Sequence, residues 1–390
     1  MHILLLAPQP FFQERGTPIA VRLLSEELAY AGNTVELLVF HEGQQIDLPG
    51  VTVHRTAALP GLRGVKPGFS CKKLICDLLM LVKSIRLIRK KKYHMIHAVE
   101  EAAFIALLLH FFFDIPYVYD MDSMLSMQLA DQMPLLGGLT RFMERFERKV
   151  MRRSCGVVAV CRSLEEKVRH MAPMVPVVRL EDVSLLSAAQ DVGEDIRTEY
   201  NIDGCVFMYV GNLEKYQGID LLLEAFALAP PELRQQASLV IIGGREVDIE
   251  TYRSRSQQLG VEARVHFLGP RPVERLGHYL HQADILVSPR IQGNNTPMKI
   301  YSYLDSGRPV LATRLPTHSQ VLDDGIAMLA EPTVPAFMEA MLALQHDPEL
   351  RQRLARTAGE RVRQEYSREA FRAKLRQFYI TVATSNGGKA

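Results

Sequence analysis

The residues best equipped for chemistry lie between Asp284 and Thr313. Ser288, Arg290, Gln292, Asn294, Asn295 and Thr296 make a loop of hydrogen-bonding side chains, and Arg290 and Lys299 add mobile positive charge. Such a set suits an anion, above all phosphate, when it stands at a strand end and runs into a helix start with free backbone N–H groups. Asp120 and Asp122, in PYVYDMDSMLS, form a second set. Two carboxylates there can hold substrate hydroxyls or a metal, or move a proton. Turns and helix caps use the same residue types as readily. Gly16, in the loop 8–17, is a third candidate, for close approach of a phosphate or for a tight turn. The G-x-G-x-x-G dinucleotide spacing is absent there.

The elements that must position these residues follow from apolar patterning. Ile285 to Val287 reads as a buried strand. Thr296 caps a helix that Pro297 opens, in which Met298, Tyr301 and Leu304 share a face, and Gly307 ends it before a strand from Val310. His2 to Ala7 and Thr34 to Phe40 are continuous apolar runs of the kind buried on both faces of a parallel sheet, with a helix from Pro18 to Ala31 between them. Strands at 51–54, 95–98, 117–119, 156–160 and 175–179 alternate with helices at 72–92, 101–112, 139–153 and 163–171. A polar stretch from Glu181 to Asn201 interrupts the alternation. It restarts with strands at 206–210, 238–242, 264–268, 285–287, 310–312 and 326–329, helices at 218–228 and 273–282, and three helical segments to about Thr384. The expectation is α/β, with two Rossmann-like doubly wound domains.

Composition narrows the function. The 390 residues exceed one typical core. A net charge of +2 gives no case for nucleic acid as a partner, so electrostatic arguments must be local. The five cysteines, at 71, 76, 155, 161 and 205, have no metal-ligand spacing and read as reduced thiols of a cytoplasmic protein. No signal peptide is read, and the longest apolar stretch, Ala102 to Phe113, is broken by His110 and is far short of a membrane span. No nucleophile elbow or zinc motif is present.

Several stretches together resemble the family-4-type glycosyltransferases of GT-B architecture. They are HILLLAPQPFFQERGTPIAVRLLSEELAYAGNTVELLVF, YHMIHAV, GVVAVCRSLEEKV, YVGNLEKYQGIDLLLEAFA, TPMKIYSYLDSGRPVLATRLPTHSQVLDDGIAMLAEP and EYSREAFRAKLRQFY. The resemblance implies an acceptor-side domain at 1–183, a nucleotide-sugar donor domain at 184–365, and a helix at 366–390 that returns to the first, with the two domains facing a cleft. It implies retaining transfer of a sugar from a nucleotide-sugar to a glycan, lipid-linked or small-molecule acceptor, usually with no metal and with no cofactor, the nucleotide-sugar being a substrate. The leaving diphosphate would be stabilised by basic side chains and helix-start N–H groups.

The chain departs from the family pattern at five charged positions. Asn212 and Gln217 stand where the family has arginine and lysine, Asn294 and Ser302 where it has paired glutamates, and Asp122 where it has a histidine. Each replacement still donates or accepts hydrogen bonds, which favours a specialised site over a decayed one. The expected donor-binding residues are Gly16, Asn212, Lys215, Gln217, Arg290, Asn295, Thr296, Lys299 and Ser302. On the acceptor side stand His97, Glu100, Asp120 and Asp122, and Asp122, Asn294 and Arg290 are the catalytic candidates. An epimerase-like sugar-nucleotide enzyme and a non-catalytic nucleotide-sugar-binding protein are the competing classes.

The segment 72–92 adds a further candidate partner. It carries eight basic residues against Asp77, with an apolar set from Leu74 to Ile88. A crossover helix explains the apolar residues and the basic C-terminal end. It does not explain Lys72 and Lys73 at the opposite end. An anionic membrane surface, on the inner face of the membrane, explains both ends.

Overall fold

Apolar runs without alternation require sheets covered on both faces, and the computed structural model contains two such sheets. It describes residues 1–12, 16–62, 64–65, 70–132, 137–186, 194–293 and 295–386. The chain divides into two compact units, one of residues 1–181 and 372–390, the other of residues 182–371.

The first unit runs β1 (His2–Ala7), α1 (Gly16–Tyr30), β2 (Thr34–Val39), β3 (Val51–Arg55), α2 (Cys71–Lys90), β4 (Met95–Val99), α3 (Ala102–Phe113), β5 (Tyr117–Met121), α4 (Leu125–Gln132), α5 (Gly137–Arg153), β6 (Gly156–Ala159), α6 (Arg162–Met171) and β7 (Val177–Arg179). Its seven parallel strands lie in the order β3-β2-β1-β4-β5-β6-β7. Side chains alternate across the sheet. Leu4 and Leu6 of β1, Ile96 and Ala98 of β4 join one core with Met80 of α2, Ala106 of α3, Val150 of α5 and Val168 of α6. The strand order reverses between β1 and β4, so their carboxyl ends diverge and leave a crevice there.

The second unit runs α7 (Ile196–Glu199), β8 (Cys205–Val210), α8 (Ile219–Leu228), α9 (Pro231–Arg234), β9 (Ala237–Ile242), α10 (Glu246–Gln258), β10 (Val265–Gly269), α11 (Leu276–Leu280), β11 (Ile285–Ser288), α12 (Lys299–Asp305), β12 (Val310–Thr313), α13 (Pro316–Ser319), β13 (Met328–Ala330), α14 (Val334–His346) and α15 (Pro348–Glu365). Its strands lie in the order β10-β9-β8-β11-β12-β13. Val206 and Met208 face a layer with α11, α12 and α15, while Phe207 and Tyr209 face α8, α10 and α14. The reversal falls between β8 and β11, which puts the loops after those two strands side by side.

The last helix, α16 (Arg368–Asn386), is packed into the first unit from Arg372 onward. Phe378 and Val382 lie so close to Gly156 that a Cβ there would stand 2.6 Å and 2.8 Å from them. Arg372 donates to the fully buried Glu27 at 2.5 Å, and Lys374 to Glu181 at 2.7 Å. A lone buried carboxylate is costly, so these pairs bind the helix to α1 and to the end of β7.

Four expectations are corrected. Thr296 caps no helix: α12 begins at Lys299, its first turn is capped by no side chain, and the Thr296 hydroxyl is buried without a hydrogen-bond partner. Asp120 lies inside β5 rather than beyond it. The helices α4 and α10 were not anticipated. The helix expected at 273–282 is a tight turn followed by the five-residue α11.

Candidate functional site

In the second unit the loops after β8 and β11 are locked together before any ligand is considered. Ile291 N–H donates to Tyr216 O at 2.9 Å. Gly218 has φ +74°, and a Cβ there would fall 2.0 Å from Pro289 O. Only glycine tolerates both the left-handed backbone and that approach. Gly211, at φ +152°, leaves room for the Lys299 ammonium, which a Cβ would meet at 2.8 Å.

Two cations converge on this junction. The Lys299 ammonium sits 3.7 Å from the centre of the Tyr209 ring and 3.4 Å from Gln217 Oε1. Burial, with the Arg290 charge as a second cause, holds its pKa well below the ordinary lysine value. The Arg290 guanidinium lies over Tyr216 at 5.0 Å and donates to Gln292 O, Asn295 O and Thr317 Oγ1 at 2.8, 3.1 and 3.2 Å. Burial lowers its pKa as well, though arginine stays charged. Among the described residues neither cation has a carboxylate partner. Structural cations under this much desolvation normally have one. With seven residues α12 is a short helix, so the case for an anion rests on these side chains rather than on the helix terminus.

A residue that the sequence reading did not single out holds the floor of the site. His318 is fully buried between the ends of β11 and β12. Its Nδ1–H donates to Thr313 O at 2.8 Å, leaving Nε2, 2.9 Å from Ser288 Oγ, to accept from that hydroxyl. Burial pushes its pKa down to about 4, against a partial opposing effect of the Thr313 carbonyl. It therefore stays neutral beside the two cations.

The remaining donor-side candidates are placed unevenly. Gln217 is buried and faces Lys299, while Lys215 and Asn212 are exposed on the loop after β8. Asn212 Oδ1 accepts from Glu214 N–H at 3.3 Å, and its carbonyl accepts from the Tyr209 hydroxyl at 2.6 Å. Asn295 presents its carbonyl to Arg290 and Thr317. Ser302 is fully buried, and its oxygen accepts from Leu185 N–H at 3.0 Å, which ties α12 to the segment at the start of the unit. Asn294 lies outside the described residues. Gly16 is exposed at the start of α1 with open space where a Cβ would be, and the three residues before it lie outside the described ones.

In the first unit the crevice beside β4 is acidic. Glu100 follows β4 with φ +50°, and its N–H donates to Asp120 O at 2.8 Å. Burial first, then the charge of Glu101, raises its pKa to about 7. Asp77 of α2 is raised to about 7 as well, again chiefly by burial, and one of its oxygens is buried without a hydrogen-bond partner. Lys73 pairs with Glu101 and moderates the cluster. His97 is brought to Asp120, with Nε2 at 3.1 Å from Oδ2, but its other nitrogen is 2.8 Å from the Tyr379 hydroxyl of α16. It is completely buried and so positions Asp120 rather than facing a ligand. Asp122 follows β5 in the adjoining turn, partly exposed. Lys73 and Asp77 were missed because they sit on a helix whose sequence shows only amphipathic spacing, and Glu101 because it stands in the turn just ahead of α3. Among the described residues no three His, Cys, Asp or Glu side chains are grouped so as to hold a metal ion.

Comparison with known proteins follows the same division. The model described as "Glycosyl transferase 4-like domain" matches residues 15–181, and "Glycosyl transferases group 1" matches 194–361. The D-inositol 3-phosphate glycosyltransferase of Acidothermus cellulolyticus is 31% identical over 165 residues, covering 40% of this chain and 37% of its own. The chain thus spans about half or less of the curated relatives it matches first. Sucrose-phosphate synthase from Thermosynechococcus elongatus has the same fold, with a TM-score of 0.78 at 21% identity over 98% of this chain and 99% of that one. HepE of Anabaena, solved with UDP, aligns with a TM-score of 0.76 at 16% identity over 98% and 100%. With the two family models spanning both units and the parallel strand orders to match, the chain belongs to the family-4-type glycosyltransferases of GT-B architecture.

Proposed function

We propose that this protein transfers a glycosyl group from a nucleotide-sugar to an acceptor, with retention at the anomeric carbon. The observation that carries the donor half is the pair Arg290 and Lys299, desolvated at the β8/β11 switch point without a carboxylate among the described residues. A diphosphate supplies the missing negative charge. Negative charge grows on its leaving oxygen as the glycosyl bond breaks, so cations fixed beforehand stabilise the transition state more than the ground state. The unpartnered Thr296 hydroxyl in the same loop, with Asn212, Lys215, Gln217 and Asn295, supplies donors and acceptors for the rest of the nucleotide-sugar.

Acceptor hydroxyls are assigned to Glu100, Asp120 and Asp122, where the carboxylates are in excess. Glycans, lipid-linked sugars and small polyols share the chemistry this requires. Retention is supported by the family to which the chain belongs. The test is nucleoside diphosphate release from a panel of nucleotide-sugars with and without acceptor. Release that requires acceptor supports transfer. Conversion without acceptor indicates an epimerase-like enzyme, and binding without turnover indicates a non-catalytic protein.

A further inference from the structure

The layer of helices that covers one face of the first unit's sheet leaves a large apolar area uncovered. On α2, Leu74, Ile75, Leu78 and Val82 are exposed, and Leu74, Leu78 and Val82 recur every four residues on one stripe. On α3, Leu108, Phe111 and Phe112 form a second stripe, with the two phenylalanines 79% and 71% exposed. On α5, Leu139 and Phe142 continue it. The three helices are one surface: α3 packs against both α2 and α5, and Phe104 meets Phe146 with ring centroids 5.1 Å apart. The opposite faces of the same helices fill the core, so the exposed residues are not needed for it. Scattered apolar residues are ordinary on a protein surface, but three adjoining stripes are not.

The charges around these stripes are predominantly positive. The exposed charged positions of α2 are Lys72, Arg86, Arg89 and Lys90, and those of α5 are Arg141, Arg145, Lys149, Arg152 and Arg153. Against these nine stand two acidic groups: Glu144 of α5, which is 45% exposed and pairs with Arg148, and Asp114 at the end of α3. The bias extends to the whole unit: residues 1–181 and 372–390 hold 27 Lys and Arg against 18 Asp and Glu, whereas 182–371 hold 19 against 26. No helix among the described residues is long and apolar enough to cross a membrane.

We propose that the face formed by α2, α3 and α5 lies on an anionic lipid surface, with its leucines and phenylalanines in the headgroup boundary and its cations against lipid phosphates. A second copy of this face is excluded as the partner by charge, since it would set cation against cation. A nucleic acid would match the cations but leave the aliphatic stripe of α2 without a partner. The proposal stands apart from the glycosyl-transfer reading, because vesicle binding is measured without donor or acceptor.

The experiment is flotation of the full chain with phosphatidylcholine vesicles, and with vesicles in which one third of the lipid is phosphatidylglycerol, at low and high salt. Wild type floats with the anionic vesicles, less so at high salt, and hardly with the neutral ones. Arg86→Gln with Arg89→Gln and Lys90→Gln lowers the partition at least about tenfold, since each cation near an anionic surface contributes separately. Leu78→Ser with Phe111→Ser and Phe142→Ser removes the binding that survives high salt. These exposed positions leave the thermal midpoint unchanged, which separates lost docking from lost folding. Wild type that stays with the soluble fraction at low salt overturns the proposal. So does flotation indifferent to both triple variants, or a dimer in sedimentation that the serine variants dissociate.

Discussion

The first unit is the basic half of the chain, yet the crevice at its strand ends gathers Asp77, Glu100, Glu101 and Asp120 around Lys73. The second unit is the acidic half, yet its switch point holds Arg290 and Lys299. Helix surfaces set the net charge of each unit, and strand ends set the charge of its site. Desolvation explains why the two differ. An exposed ion pair is nearly neutral in energy, so the outer helices carry any sign that solubility or docking favours. A charge at a strand end is partly buried, and its sign is kept only where a ligand or a fixed partner answers it.

The largest expected effect separates the units by acid stability. His318 has a folded pKa of about 4 against an ordinary 6.5, so the neutral form stabilises the fold above pH 6.5 and that contribution is lost as pH falls from 6.5 through 4. Glu36 works lower. Burial would raise its pKa, but hydrogen bonds from Lys91, Tyr93, His54 and His2 outweigh burial and bring it to about 2. Its contribution is present above the ordinary 4.5 and is lost as pH falls from 4.5 through 2. Each is worth roughly 3 kcal/mol by the linkage of about 1.4 kcal/mol per pKa unit. Hydrogen exchange read peptide by peptide should show the second unit loosening first, between pH 6.5 and 4, and His318→Gln should flatten that dependence. Earlier loosening of the peptides around Glu36 would break the comparison.

A smaller effect tests whether Lys299 serves a ligand or the fold. Replacing an unpaired, desolvated ammonium by a thioether of similar shape removes an electrostatic penalty. Lys299→Met should therefore stabilise the ligand-free protein by ~1–2 kcal/mol, read as a higher midpoint in scanning calorimetry. A lower midpoint would make the cation–ring contact with Tyr209 the main role of Lys299. Smallest is the response of Glu100. Its raised pKa means that the folded protein loses stability as pH rises from 4.5 through about 7, where the carboxylate must ionise in a buried, acidic crevice. Glu100 titrates together with its neighbouring carboxylates, so only part of the shift is lost with its own charge, and Glu100→Gln should gain ~1 kcal/mol above pH 7 and little at pH 4, measured by urea titration at both values. An equal effect at both pH values would remove charge as the cause.

Much of the frame was legible from patterning, because continuous apolar runs such as His2 to Ala7 leave a buried parallel strand as the main choice. The donor loop was legible too, since cations and carboxamides clustered after an apolar strand announce a strand-end site. Helix α10 escaped because only Ile249, Tyr252 and Ser256 of its thirteen residues are buried, too few to set a period. The start of α12 was misplaced because Thr296 followed by Pro297 looks like a cap, whereas the chain keeps that hydroxyl for the loop. His318 escaped because its role depends on Ser288 and Thr313, thirty and five residues away, which only the folded sheet brings to it.

The central claim is that the second unit's cations, and not the first unit's carboxylates, hold the nucleoside diphosphate. Calorimetric titration of UDP and GDP into wild type, Arg290→Ala, Lys299→Ala and Glu100→Gln tests it directly. The account predicts that each basic variant loses about 2 kcal/mol, or roughly 30-fold in affinity, for whichever nucleotide binds wild type, as expected for a desolvated charge-assisted contact. It predicts that Glu100→Gln binds as wild type does. Undiminished affinity in both basic variants, or a loss confined to Glu100→Gln, would contradict it.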